Sequence, residues 1–251
     1  MATATLARIV DDMTSAVDYL RVTIGAPEEG WLPCDRLIAD ADHLGAVVAG
    51  TQEARGTPRD DVATSLFVQG YVFRIATVAI GSWVMADAVI EVDPATTAIA
   101  LGRGRPNAVR LAEATTMAMP ADVQQLHGAL IERHLAAMVE AAHAVCRVGA
   151  ALLWGNVAAS CAAAFSAFAG AASLLDRRGE IADRTEAFFA AARPEVRNAG
   201  TVVRVGDRCA WERRSCCLWY RTDSGFMCED CSLRPAEEHH ARYAAMAEVD
   251  A

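Results

Sequence analysis

Lysine is absent from this chain. All 23 basic residues are arginine, and 32 acidic residues give a formal net charge of -9. Nonspecific nucleic-acid binding needs a basic surplus to neutralise phosphates, so this balance argues against nucleic-acid partners. A glycine-rich phosphate loop between a strand and a helix is also missing, which leaves a bound nicotinamide or flavin without support.

Features of secretion or membrane insertion are weak. Residues 1–13 carry two aspartates and one arginine in a helical pattern, without the basic start and apolar core of a signal peptide. The stretch from Val148 to Leu175 is uncharged, but alanine, glycine and serine dominate it, and alanine contributes little to transfer into lipid. We therefore expect a cytoplasmic protein without a membrane span, in which this stretch forms a buried central helix.

The pattern of apolar residues predicts a mainly helical body. Helical periodicity covers residues 2–24, 33–54, 59–88, 120–148, 156–176, 181–192 and 235–246. Alternating, β-branched sequence predicts small β elements at 89–111, 201–205 and 210–221, with a turn at 222–225. The expected fold class is α+β and mainly α: a helical body over 1–195 and a C-terminal cysteine-rich β-hairpin module over 196–251, packed with the body as one unit.

The eight cysteines are unevenly distributed. Three of them, Cys34, Cys146 and Cys161, are scattered through helical sequence, where a free cysteine behaves as a small apolar residue. Four others crowd into one short segment, as Cys216, Cys217, Cys228 and Cys231. Without a signal peptide, clustered thiols favour metal binding over disulfides. Cys209 lies just ahead of this segment, and we expect it to be a bystander.

The spacing CC-x10-C-x2-C indicates thiolate ligands of a metal centre. Two cysteines separated by two residues can wrap one ion, as in many zinc and iron sites. The adjacent pair Cys216-Cys217 points to opposite faces on an extended strand, which suits a two-iron cluster better than one tetrahedral zinc ion. A turn at 222–225 would bring the two cysteine pairs together. On ligand chemistry alone, a structural four-cysteine zinc site stays open as the alternative.

The same segment resembles the terminal signature of a known family. Residues 213–221, Arg-Arg-Ser-Cys-Cys-Leu-Trp-Tyr-Arg, continue to Cys228-Glu229-Asp230-Cys231 and are similar to the signature of FhuF-type ferric-siderophore reductases. Residues 153–160 resemble another recurring segment of that family. The resemblance covers the second half of the chain. In the first half, only the helical pattern is compatible with the family.

This resemblance implies a cofactor and a reaction. The cofactor is a [2Fe-2S] cluster bound by Cys216, Cys217, Cys228 and Cys231. The reaction is one-electron reduction of iron(III) held by an imported siderophore, typically of hydroxamate type. Siderophores hold iron(III) with hard anionic oxygens, for which iron(II) is a poorer match, so one electron releases the metal. Because no nucleotide site is evident, we expect a protein electron donor such as a ferredoxin or flavodoxin.

Substrate contacts are expected near the cysteines. Between residues 193 and 221, seven arginines face three acidic residues, a local surplus that could attract an anionic siderophore or raise the cluster potential. The candidate contacts are Arg213, Arg214, Arg221, Trp219 and Asn156. The rival hypothesis is a non-enzymatic siderophore-binding or sensor protein in which an iron-sulfur or zinc site is structural.

Overall fold

A computed structural model describes residues 2–249. Its helices are α1 (Ala2–Ala16), α2 (Cys34–Ala39), α3 (Ala41–Arg55), α4 (Asp60–Ala86), α5 (Val123–Leu126), α6 (Ala136–Cys146), α7 (Ala150–Ala169), α8 (Arg178–Ala191), α9 (Pro194–Arg197) and α10 (Ala236–Val249). Its strands are β1 (Val22–Ile24), β2 (Trp31–Pro33), β3 (Val89–Ile90), β4 (Thr97–Gly102), β5 (Arg105–Leu111), β6 (Met117–Ala118), β7 (Gly200–Val205) and β8 (Arg208–Arg213). Short 3-10 segments span Pro94–Thr96, Ala172–Arg177 and Trp219–Arg221, and a π-helix spans His127–Leu135.

The long apolar helices α4 and α7 pack along each other at the centre of the core. Both are long and apolar enough, by length and composition, to cross a membrane. Yet these two helices are mostly buried: 78% of an apolar 18-residue segment of α4 and 67% of one of α7 lie inside the protein. The expected buried central helix is therefore present as α7, and the α+β fold class is confirmed.

Close contact at this centre depends on Gly81 of α4. A Cβ atom added there would lie 2.7 Å from Cε2 of Phe168 and 2.9 Å from the sulfur of Met13. Both neighbours are fully buried, so neither can swing aside into solvent. Glycine at this position lets α1, α4 and α7 approach more closely than any residue with a side chain would permit.

The largest sheet lies at one side of the helices, with strand order β1-β5-β4-β2. β4 and β5 form an antiparallel hairpin whose two turn residues, Arg103 and Gly104, have φ of 51° and 68°. Two consecutive positive φ angles are typical of the tight turns that match strand twist. Thr51 of α3 donates a hydrogen bond to the Gly104 carbonyl at 3.1 Å, and a Cβ at Gly104 would lie 2.9 Å from the Gly50 carbonyl oxygen. The tip of this hairpin is therefore fixed against α3.

Two predicted helices in the first quarter differ from the structure, one because it was too long and the other because it is divided. The first ends at Ala16, because residues 22–24 pair in parallel with 109–111 as β1, a partner that local periodicity does not reveal. The predicted helix 33–54 is divided at Asp40, which has extended backbone angles and accepts a hydrogen bond from the His43 backbone N–H at 2.9 Å. Asp40 thus caps the start of α3.

Several other predicted boundaries also shift. Pro120 does not open a helix; α5 begins at Val123, with Asp122 and Gln125 forming a capping box. The central helix begins at Ala150 rather than near Asn156 and ends at Ala169. The division into a body and a module at residue 195 stays a prediction.

Replacing Gly81 by alanine should destabilise the protein by about 1–3 kcal/mol, because overpacking forces buried side chains to shift. Gly50 offers a matched control on α3, since an added Cβ there meets nothing within 4 Å. Gly50→Ala should be neutral or stabilising by up to about 1 kcal/mol, through helix propensity alone. Urea unfolding followed by circular dichroism measures both variants, and equal effects would contradict the proposed close contact.

Candidate iron-sulfur centre

The four clustered cysteines lie in irregular chain after β8. β7 and β8 pair through a turn at Gly206-Asp207, and pairing ends where Gly200 meets Arg213. The predicted strand 210–221 ends at Arg213, because its partner strand begins at Gly200 and offers no residue that could pair with 214–221. The prediction that the turn at 222–225 connects a β-hairpin was therefore wrong. The chain reverses instead at Leu218, which has a left-handed φ of 69°, and in the 3-10 turn that follows.

Local hydrogen bonds shape the rest of this cysteine loop, defined here as residues 214–234. Backbone N–H groups of Thr222 and Gly225 donate to Trp219 and Thr222 carbonyls, each at 3.0 Å. The Cys231 N–H donates to the Cys228 carbonyl at 3.1 Å, which closes the C-x2-C turn. Arg234 supports the same turn, because its Nε donates to the Cys228 carbonyl at 2.8 Å.

The four thiols form two pairs, and each pair takes one cysteine from each sequence motif. The Cys217 and Cys228 sulfurs are 3.7 Å apart. Cys231 lies close enough to Cys216 to raise the pKa of its thiol. The adjacent cysteines therefore diverge, as the sequence predicts, although the turn at Leu218 causes it rather than a strand. No group of three or more histidine, cysteine or acidic side chains within residues 2–249 is arranged to hold one metal ion.

Electrostatics within the loop favour a thiolate at Cys217. Its pKa is lowered to about 6, first because it accepts a hydrogen bond from the Cys228 thiol, and further by the Trp219 backbone N–H and the charge of Arg213; burial opposes the shift. The pKa of Cys228 is raised, chiefly because its proton is shared with Cys217. Burial raises the pKa of Cys216 to about 11, and nearby Cys231 adds to this shift.

The surroundings of Arg213 show whether the four clustered cysteines suit a cluster bound by four thiolates. Its side chain is only 5% exposed, and its hydrogen bonds go to neutral acceptors, the Ser215 carbonyl at 3.1 Å and Asn156 Oδ1 at 2.6 Å. Its Nη1 atom is buried without a hydrogen-bond partner. A buried cation is costly unless negative charge lies nearby. The charge of Arg213 acts on Cys217 and Cys228, and cluster-bound thiolates at these positions would supply the balancing negative charge. The donor set therefore fits a [2Fe-2S] cluster.

A buried polar network joins the loop to the helical core. Asn156 of α7 is fully buried, and its Nδ2 donates to the carbonyl and hydroxyl oxygens of Ser65 on α4, at 2.9 and 2.8 Å. The Ser65 hydroxyl in turn donates to the Cys217 carbonyl at 2.8 Å. Next to Asn156, a Cβ on Gly155 would overlap the Ser215 hydroxyl. Glycine there lets the loop rest directly on α7.

The predicted substrate contacts separate into two groups. Asn156 and Arg213 are buried beneath the loop, so their position assigns them to its support rather than to a surface that meets substrate. Trp219 is half-buried, packs against Phe226 with ring centroids 4.7 Å apart and ring planes tilted by 40°, and lines a cavity of about 530 Å³. Arg214 and Arg221 are exposed, bonded to the Asn198 carbonyl and the Tyr220 hydroxyl respectively.

Ion pairs in the folded protein neutralise part of the local arginine surplus that the sequence shows between residues 193 and 221. Arg193 pairs with Glu132 and Glu195, and Arg204 pairs with Asp183 and Glu186.

Cys209 points its sulfur at the Ala182 carbonyl, 3.6 Å away, and lines the cavity. Sequence reasoning missed Ser65, Arg234 and the packing role of Gly155 against the loop, since all three depend on contacts with distant residues. For Gly155, its place in the 153–160 segment was the available signal.

Asn156→Ala should destabilise the protein by about 3 kcal/mol or more, because it leaves the Arg213 charge buried with a lost partner. Ser160→Ala is the matched control: Ser160 lies one turn further along α7 and donates to the Gln69 carbonyl at 3.1 Å. Its loss should cost about 1 kcal/mol. Chemical denaturation measures both, and a control that is as damaging as Asn156→Ala would show that the network has no special role.

Comparison with known families gives two matches. The family described as ferric iron reductase FhuF-like transporter matches residues 65–210, and the FhuF 2Fe-2S C-terminal domain matches residues 213–233. No curated protein matches the chain. The second match contains all four clustered cysteines and supports the [2Fe-2S] cofactor, and the first covers more than half of the chain. The family resemblance seen in the sequence is confirmed: the chain belongs to the FhuF-like ferric iron reductase family.

Proposed function

We propose that this protein is a ferric-siderophore reductase, an oxidoreductase that releases iron(II) in the cytoplasm and has no membrane span. The observation that carries the proposal is the cysteine loop itself: four paired thiols held over a buried arginine, on a loop with exposed faces. When bound, a [2Fe-2S] cluster supplies one electron at a time, which is the change that weakens iron binding by hard oxygen donors.

Cys216, Cys217, Cys228 and Cys231 are the proposed ligands. Because Cys217 lies beside Cys228, and Cys216 beside Cys231, we assign each of these pairs to one iron. Backbone N–H groups support the sulfurs: that of Leu218 donates to Cys216 at 3.3 Å, and that of Trp219 donates to Cys217. Hydrogen bonds to ligand sulfurs are among the means by which proteins tune a cluster's potential.

The surroundings of the loop suit exchange with partners. Four large apolar side chains of the loop are exposed, namely Tyr220, Phe226, Met227 and Leu233. This exposed apolar face offers a surface on which an electron donor can dock, and a ferredoxin or flavodoxin is the proposed donor. The family resemblance makes ferric hydroxamates the first substrates to test. The competing function, a sensor or siderophore-binding protein with a structural site, shares the loop but predicts no turnover.

Serine replacement of any one of the four proposed ligands should reduce the iron and sulfide retained after anaerobic purification, because an alkoxide matches these irons less well than a thiolate. Cys209→Ser, whose sulfur contacts the Ala182 carbonyl, should retain the full content. Mössbauer spectra of variants that keep a reduced cluster test the pairing. Cys217→Ser and Cys228→Ser should perturb the same iron, and an effect of Cys216→Ser and Cys217→Ser on one common iron would contradict it.

Reduction itself is tested with the anaerobically purified protein. We expect iron and acid-labile sulfide with little zinc, and rapid formation of iron(II), trapped by a chelator, when the reduced protein meets ferric hydroxamates. Cys209→Ser should match the wild type in this assay. A colourless protein with stoichiometric zinc would refute the cluster, whereas an intact cluster that reduces no ferric siderophore would favour the sensor.

A further inference from the structure

A basic cleft lies next to the cavity that Trp219 lines. It has a volume of about 470 Å³ and is bounded by the end of α3, the middle of α4 and the tip of the β4–β5 hairpin. We call it the arginine cleft, after Arg55, Arg74, Arg103 and Arg105, which line it. Among the described residues that form its wall, none is acidic. Four arginines around one cleft stand out in a protein with a net charge of -9.

These arginines are held near one another despite their like charge. Burial lowers the pKa values of Arg55 and Arg74, and the nearby charge of Arg105 lowers both further. Arg74 is oriented by the carbonyl oxygens of Tyr19 and Pro106, at 3.0 and 3.3 Å. Arg103 occupies the left-handed region, which a residue with a side chain rarely adopts. Concentrated positive charge of this kind is stabilised by a bound anion.

The arginine cleft continues into the cavity beside the cysteine loop. Arg55, Leu66, Gly70 and Phe73 line both spaces. The Arg55 guanidinium lies 5.8 Å from the centre of the Trp219 ring, and its Nε is buried without a hydrogen-bond partner. Trp219, Glu229 and Asp230 of the loop line the cavity, and apolar side chains of α4 and α7, among them Leu66, Phe73 and Phe165, form one of its walls. One molecule can therefore contact the arginines and reach the residues next to Cys217.

We propose that the arginine cleft binds the anionic oxygens of a ferric chelate with net negative charge, one built on carboxylate or catecholate groups. Guanidinium groups donate paired hydrogen bonds to such oxygens, which gives both affinity and orientation. The organic part of the chelate packs against the apolar walls beside Trp219. This inference rests on the proposed reductase function and departs from the hydroxamate expectation, because neutral tris-hydroxamate chelates offer no net charge to the arginines.

Gallium(III) complexes test binding separately from reduction, since gallium(III) is not reduced under these conditions. Equilibrium dialysis of the full chain compares gallium citrate and a gallium tris-catecholate with the neutral gallium complex of desferrichrome. We expect at least about tenfold tighter binding of one anionic complex, a difference that narrows as salt screens the charges. Equal or tighter binding of the neutral complex would overturn the proposal.

A double variant, Arg103→Gln with Arg105→Gln, removes two exposed arginines without touching the core. We expect it to weaken binding of the preferred anionic complex by about tenfold or more for each arginine that contacts the chelate, and to leave the neutral complex unaffected. Arg8→Gln with Arg197→Gln is the matched control, because both residues are exposed and neither lines the cleft. Unchanged binding of the anionic complexes in the cleft variant would overturn the proposal.

Failure of this inference differs from failure of the proposed function. A protein that reduces neutral ferric hydroxamates, with no effect of the cleft variant, remains a reductase with a different binding surface. A protein that binds anionic gallium chelates through Arg103 and Arg105 but reduces no ferric chelate keeps the arginine cleft and loses the reductase function.

Discussion

The burial of Arg213 is the constraint around which the C-terminal third of the protein is arranged. Its side chain is enclosed by neutral hydrogen-bond acceptors, and Asn156 on α7 is the closest of them. A cation in this position needs negative charge nearby, and the paired thiols of the cysteine loop are the groups placed to supply it. The same Asn156 holds Ser65, which holds the Cys217 carbonyl. Charge balance and loop geometry therefore depend on one set of hydrogen bonds.

Helix α4 connects this network to the rest of the molecule. Ser65 contacts the cysteine loop, whereas Leu66, Gly70 and Arg74 form a wall of the arginine cleft. α4 also carries Gly81, where α1 and α7 come closest to it. A helix buried along most of its length is a rigid support, so the loop and the cleft keep a constant relation to each other. Such rigidity suits the proposed electron transfer, which needs no rearrangement of the loop or of the cleft.

The arginine cleft concentrates positive charge in a protein whose net charge is negative. Much of the arginine surplus close to the cysteines is neutralised by carboxylates, as for Arg193 and Arg204. The arginines of the cleft come from three separate parts of the chain and meet where the β4–β5 turn packs on α3. An anion entering this cleft reaches Arg55, which lies over Trp219, the second residue after Cys217. The proposed attraction of substrate and the proximity to the cysteine loop thus coincide at Arg55 and Trp219.

The sequence alone determined the thiol-rich site, the predominance of helices and the buried character of the alanine-rich helix, because motif spacing and apolar periodicity are local properties. Local patterns also overextended α1 and the strand before Cys216, since strand pairing of residues 22–24 and the end of pairing at Gly200 depend on distant chain. Only the tertiary structure decided that Asn156 and Arg213 support the loop, which thiols pair, and that Arg55, Arg74, Arg103 and Arg105 share one cleft. Those relations depend on which buried surfaces meet, and residues far apart in sequence carry no local signal of that meeting.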